Sequence, residues 1–180
     1  MAPDNGLQIT RLPSNRQFLL DRPISPAYGY EGAPSWLAGA VPDDVTRARR
    51  DPMTSPFLQL PPEAHVASNA LAFAIRDGFP VSPGHTLIVP RRLVATWFDA
   101  TREEQVAMLE LVEVVKAQLD AELSPDGYNI GINAGAAAGQ TVMHLHLHLI
   151  PRFAGDVPDP RGGVRHVIPG KGNYLIGAAQ

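Results

Sequence analysis

"TVMHLHLHLIPR", residues 141–152, is the stretch that decides the fold. Successive side chains of a strand point to opposite faces, so His144, His146 and His148 share one face and Leu145, Leu147 and Leu149 the other. A leucine face requires a cover. That cover lies upstream in "DATREEQVAMLELVEVVKAQLDAEL", residues 99–123, where Met108, Val112, Val115, Leu119 and Leu123 recur at steps of three or four and make one apolar stripe. Thr101 followed three residues later by Glu104 predicts a capping box at the helix start, and Ser124-Pro125-Asp126-Gly127 predicts its end. With the leucines packed beneath this helix, the imidazoles face a cleft or solvent.

The flanking pattern completes the architecture. "ALAFAIRDGFPVSPGHTLIVPRR", residues 70–92, gives apolar runs at Ala70 to Ile75 and Thr86 to Val89 around a Gly/Pro connection, which predicts two strands. "YNIGIN", residues 128–133, alternates as a third strand, and "AGAAAGQ" forms a small-residue loop before the histidines. Strand, strand, long helix, strand, loop, strand describes an α+β domain with a mostly antiparallel sheet. Ten of the 18 prolines fall in the first 62 residues. We therefore read residues 1–52 as an irregular, Pro-rich extension, in which Gln17 to Asp21 and Tyr28 to Gly39 carry enough apolar surface to dock. Residues 53–155 form the domain and 156–180 a tail, in which "VRHVI" is the one candidate strand.

Composition narrows the function. The net charge of −3 and pI near 6.0 argue against a nucleic-acid binder, because tracking phosphates requires a concentrated positive surface. The pairs and triplets of arginine at Arg47, Arg49 and Arg50 and at Arg91 and Arg92 read as solvated faces. There is no cysteine, so disulfides and thiolate metal sites are excluded. Neither a leader pattern nor an apolar run of membrane-spanning length is evident, which sets the expected compartment as the cytoplasm.

Three readings of the histidine face compete. It is a hydrogen-bonded polar surface, a three-histidine metal site, or a site for phosphorus chemistry. Residues 144 and 148 of one strand lie roughly 13 Å apart at the backbone, which is too spread for easy convergence on one ion. Phosphorus chemistry suits neutral imidazole, which attacks while its neighbours balance charge or donate a proton near neutral pH. The loop just upstream favours it. Gly135 and Gly139 allow close backbone approach to an anion, and Gln140 and Thr141 add a side-chain amide and a hydroxyl.

The run His144 to Ile150, alternating histidine with apolar residues, together with the preceding "GQTV" and with "PVSPGHTLIVP" at Pro80 to Pro90, resembles the histidine triad (HIT) family over about Met53 to Phe153. The resemblance implies a HIT-like fold and a nucleotide hydrolase that cleaves at the α-phosphorus through a covalent nucleotidyl-histidine. It implies His146 as nucleophile and His148 as the group that assists the leaving group. His144 supports the geometry, with His85 as a fourth histidine beside it. It places Gln140, Thr141, Gly139 and Asn133 on phosphate oxygens and Asp77 on ribose hydroxyls, with apolar contacts such as Phe73 or Ile75 on the base. Histidine at 148, where related transferases usually carry glutamine, favours water as acceptor.

Many relatives hold a structural zinc, but Ser55-Pro56-Phe57-Leu58 and Leu93 stand at the corresponding ligand positions. No structural zinc is therefore expected, and Phe57 and Leu58 are expected to close that clamp by packing. No cofactor is required, although Mg²⁺ would accompany a polyphosphate. The implied partner is a small nucleotide, such as a dinucleoside polyphosphate or nucleoside phosphoramidate, bound by a homodimer. The rival readings are a nucleotidyltransferase or phosphorylase of the same superfamily and a non-catalytic nucleotide sensor. Arg161, Arg165 or Lys171 of the tail would reach a polyphosphate or simply form a turn, His65 is expected at the surface or in a cap, and His166 has no assigned role.

Overall fold

The computed structural model describes Gln8, Ile9 and residues 55–175. The arginines at 47–50 and the docking segments 17–21 and 28–39 lie outside these residues. Six strands form one antiparallel sheet: β1 (Gln8–Ile9), β2 (His65–Ser68), β3 (Ala72–Arg76), β4 (Thr86–Pro90), β5 (Gly127–Ile132) and β6 (Leu147–Arg152), in the spatial order β1-β2-β3-β4-β6-β5. Among the described residues a single long helix, α1 (Arg102–Leu123), crosses one face.

The expected start of α1 is present. Thr101 Oγ1 accepts from Glu104 N at 3.3 Å, and Glu104 Oε2 accepts from Thr101 N at 2.8 Å. Glu104 is buried, and its carboxylate is matched by a fork from Arg92 with both bonds at 2.8 Å. The helix ends where Ser124 enters the left-handed region at φ 51°. Met108, Leu111, Val115 and Leu119 are wholly buried and pack with Leu145, Leu147 and Leu149 in the main core. Each such side chain contributes roughly 1.5–3 kcal/mol of burial, so this stripe fixes which face of the histidine segment is dry.

Two β-elements escaped the sequence reading. β2 is only four residues long and its pairing to β3 is irregular between His65 and Ala67, so it leaves no clean alternation. β1 lies within the proline-rich extension and pairs with β2 as Gln8↔Ser68 and Ile9↔Ala67. In the tail, "VRHVI" is not a strand. Gly163–Val167 forms a 3₁₀ turn that packs on β5, with Arg165 Nε donating to Gly172 O at 3.1 Å and His166 Nε2 donating to Arg161 O at 2.9 Å.

One glycine positions the site directly. Gly84 has φ +80°, and a Cβ there would fall 2.6 Å from Leu119 and 2.7 Å from Leu123. Only a residue without a side chain lets this turn lie against the end of α1. Its carbonyl accepts from Thr86 Oγ1 at 2.8 Å, which anchors the start of β4 and fixes His85 beside it.

Candidate functional site

His148 lies on β6 opposite Leu87 of β4 and Gly131 of β5. His144 and His146 precede the strand, which begins at Leu147, so the expected histidine strand is shorter than the alternation suggested. The partition of faces is nevertheless as expected, with all three odd-numbered leucines in the helix-side core. On the opposite face Phe73, Ile75, Leu87 and Val89 form a second apolar cluster against Phe57 and Leu60. The Phe57 ring packs edge-on to His146 at 5.3 Å and lies 6.0 Å from His144.

The four histidines have distinct environments. His146 donates from Nδ1 to His144 O at 2.8 Å, so its Nε2 carries the lone pair. His148 Nδ1 lies 3.0 Å from His85 Nε2, and His85 Nδ1 lies 3.2 Å from Asp77 Oδ2. The carboxylate can only accept, so His85 holds its proton on Nδ1. Its Nε2 then accepts from His148 Nδ1, and His148 Nε2 is left unprotonated. Among the described residues that nitrogen is the one buried side-chain polar atom without a partner. The assignment rests on the charge of Asp77, whose 3.2 Å contact is an ion pair and not a hydrogen bond; the one hydrogen bond at His85 Nδ1 is donated by Val81 N at 3.4 Å.

His144 is wholly buried. Its Nδ1 accepts from Ser55 Oγ at 2.7 Å, and its Nε2–H is shared between Pro90 O at 2.9 Å and Arg92 O at 3.1 Å. Ser55 in turn accepts from Phe57 N at 3.3 Å. A hydroxyl therefore holds the first histidine. Of the two residues expected to close this clamp by packing, Phe57 does lie against His144, whereas Leu58 is 44% exposed and Ser55 supplies the hydrogen bond.

Other expected residues divide. Asp77 caps Phe79 N through Oδ1 at 2.8 Å while Oδ2 meets His85. Thr141 and Gly139 are exposed at the loop and Asn133 is half-buried on the strand leading into it, whereas Gln140 is buried. The Gln140 amide donates to Ala95 O at 2.7 Å and Val142 O at 3.0 Å, and its Oε1 accepts from Gly135 N at 2.7 Å. Both side-chain donors are spent, so Gln140 shapes the loop instead of offering a side-chain donor to phosphate. His65 takes the expected capping position, its backbone N–H donating to Pro62 O at the end of the 3₁₀ turn Pro62–Ala64, but it is not at the surface. It is buried and stacked on Phe73 at 4.3 Å, which closes Phe73 and Ile75 to solvent in this geometry. Arg161 is bound to Asp159, and Arg165 to the carbonyls of Gly172 and Lys171, so neither is free for a polyphosphate.

Burial also sets the charge. His85 and His144 are held below the usual histidine range, chiefly by desolvation, against which Asp77 opposes for His85 and the carbonyl bonds oppose for His144. His148 is pushed down to about 4 by burial and then by His146 and His85. The unfolded chain takes up protons at these positions near pH 6.5, whereas in the folded chain all three resist, His148 until the pH approaches 4. Stability thus falls as pH drops through that window, by up to about 2 kcal/mol for His148 between pH 6.5 and pH 5. Urea midpoints at pH 7 and pH 5 should record the loss, and His148→Gln should flatten it. An unchanged slope in that variant would assign the acid sensitivity elsewhere.

The description "HIT domain" belongs to the family model that matches residues 59–155, and the chain belongs to this family. It is 32% identical over 119 residues to the AP-4-A phosphorylase of Mycobacterium tuberculosis (strain H37Rv), with 60% of this chain and 61% of that one covered. It is 38% identical over 82 residues to the bis(5'-adenosyl)-triphosphatase of Dictyostelium discoideum, with 46% and 55% covered. The crystal structure of a Zn-bound histidine triad family protein from Mycobacterium smegmatis superposes with a TM-score of 0.53 at 31% identity, covering 61% of this chain and 86% of that one. The match spans about three fifths of the length of the first curated relatives. Among the described residues no helix is long and apolar enough to cross a membrane.

Proposed function

We propose that this chain, as a homodimer, hydrolyses a small nucleotide at its α-phosphorus through a nucleotidyl intermediate on His146. The observation that carries the reading is the bond from His146 Nδ1–H to His144 O at 2.8 Å, which points a defined lone pair from Nε2 beside a partnerless His148 Nε2. In the first step a P–N bond forms at His146 Nε2, the bond from phosphorus to the leaving group breaks, and that group leaves with a proton that solvent has first placed on His148 Nε2. In the second step water attacks phosphorus, the P–N bond breaks, and His148 takes the water's proton. Each proton transfer is worth about 10²- to 10⁴-fold.

Thr141, Asn133 and the backbone at Gly139 would contact phosphate oxygens, and Asp77 the sugar hydroxyls. Mg²⁺ would screen a polyphosphate tail without a protein ligand set of its own. The names of the phosphorylase and triphosphatase relatives support dinucleoside polyphosphates as one substrate class. We read the Ser55–His144 clamp as standing in place of a structural zinc, since its donors are a hydroxyl and two carbonyls instead of the sulfur, nitrogen or carboxylate ligands zinc prefers.

The similarity to a phosphorylase favours a second reading, in which phosphate replaces water. Product analysis on diadenosine tetraphosphate with and without 10-fold excess inorganic phosphate separates the two. The hydrolase reading expects AMP and ATP at a rate unaffected by phosphate. ADP formed only with phosphate would select the phosphorylase, and nucleotide binding without any product would select a sensor.

A further inference from the structure

Asp77, His85 and His148 bring one ligand atom each within 4.8 Å of the others. Within it, the ion-pair contact of Asp77 with His85 at 3.2 Å and the hydrogen bond between His85 and His148 at 3.0 Å already link the three groups to one another. The arrangement is instead a file of proton positions. It starts at a carboxylate 14% exposed in its side chain, passes through a buried imidazole, and ends at a bare, buried nitrogen next to the His146 ring, whose centroid is 5.1 Å from that of His148. The remaining charged groups on these elements point away. Arg76 bonds Thr86 Oγ1 and Glu122 on the helix side, and Arg152 is held by Asp156.

In the arrangement assigned from the Asp77 charge, His85 carries Nδ1–H toward Asp77 and His148 carries Nδ1–H toward His85. Adding one proton at His148 Nε2 lets the Nδ1 proton pass to His85 Nε2. The positive charge then resides on His85, 3.2 Å from the Asp77 carboxylate, and His148 is a neutral donor with Nε2–H. Giving that proton to a leaving group reverses both movements and returns the arrangement seen. The added proton comes from solvent, and the proton of the water consumed in the second step restores it, so protons and charge balance over the cycle.

Taking the hydrolase reading as its basis, we propose that Asp77 is a positioning residue for leaving-group protonation, holding the charge of the His85–His148 pair as well as contacting the sugar. Through Asp77 the file is an acid in the first step and, returned to the state seen, a base toward water in the second. A sugar-binding role alone requires a hydrogen-bonding group at 77. The proton role requires a negative charge there.

Asp77→Asn separates these, because an amide still bonds hydroxyls but cannot stabilise a protonated His85. Two adenylate substrates are compared: an alkylamine phosphoramidate, whose leaving group requires a proton, and a 4-nitrophenyl ester, whose leaving group does not. The expected result is a kcat about 10²-fold lower on the amidate, less than about 3-fold lower on the ester, and KM within about 3-fold on both. Equal losses on both substrates, or a raised KM with kcat kept, would overturn the proposal.

A second readout is independent of turnover. In ¹⁵N spectra of the histidine side chains, wild-type His148 Nε2 should be the unprotonated nitrogen. In Asp77→Asn the amide N–H donates to His85 Nδ1, so Nε2 of His148 should become protonated. No change of tautomer would sink the relay. Wild-type protein inactive on both substrates would instead remove the hydrolase reading, leaving the spectra to judge the file.

Discussion

His146→Ala should abolish release of AMP from adenosine phosphoramidate and diadenosine tetraphosphate, by about 10⁴-fold or more, and should leave the protein folded. The size of the effect follows from the role. Deleting a covalent nucleophile removes the intermediate itself, and what survives is binding and electrostatic catalysis of direct attack by water. Folding should be spared because the His146 ring makes a single hydrogen bond, to the carbonyl of His144 two residues away, and its Nε2 bonds nothing among the described residues. Losing that bond and the edge contact with Phe57 costs about 1–2 kcal/mol. The check is direct. Acid quench of the wild type during turnover should trap AMP on the peptide spanning residues 141–152, and the variant should show neither trapped AMP nor turnover, with a circular dichroism spectrum unchanged. More than about 1% residual turnover would move the nucleophile to another imidazole, His148 being the next in reach.

Much of this arrangement was legible in the chain, and the reasons differ by element. The helix announced itself because its stripe and its capping box are local signals. The leucine face was legible because alternation and the need for a cover are both written within twelve residues. β2 was not, because four residues with an irregular register show no alternation and owe their strand state to pairing with β3. The same holds for His65, which is buried against the Phe73 ring by a stacking contact that no local pattern announces. Gln140 was placed in the right loop with the wrong task. Its amide satisfies the carbonyl of Ala95, 45 residues away, and no sequence pattern encodes such a partner. Asp77 and His85 are only eight residues apart, yet their contact depends on how the Gly84 turn folds back, and tautomers follow from contacts alone. Sequence thus located the imidazoles, while their inequivalence came from what each touches.

That inequivalence is sharpest at His144, where the largest loss of stability is expected. His144→Ala should lower the unfolding free energy by about 3–5 kcal/mol. The ring is wholly buried, so its removal opens a cavity. It also strips Ser55 Oγ, Pro90 O and Arg92 O of a shared partner in the interior, and each buried group left unpaired costs on the order of 1–3 kcal/mol. For a chain of this size the melting temperature should fall by about 10 °C or more. Ser55→Ala should cost less, about 1–2 kcal/mol, because it removes one donor and leaves the two carbonyl bonds standing. Since both variants break the same 2.7 Å contact, the double variant should be more stable than the sum of the single losses implies, by about 1 kcal/mol. Denaturant midpoints of the four proteins measure this coupling. Strict additivity would mean that the Ser55 hydroxyl does not hold His144, and the clamp would then rest on the carbonyls of Pro90 and Arg92. A real coupling has a catalytic corollary, because the carbonyl of His144 orients His146. Ser55→Ala should lower kcat by several-fold with KM unchanged, as a small tilt of the nucleophile misaligns attack without altering how the nucleotide binds.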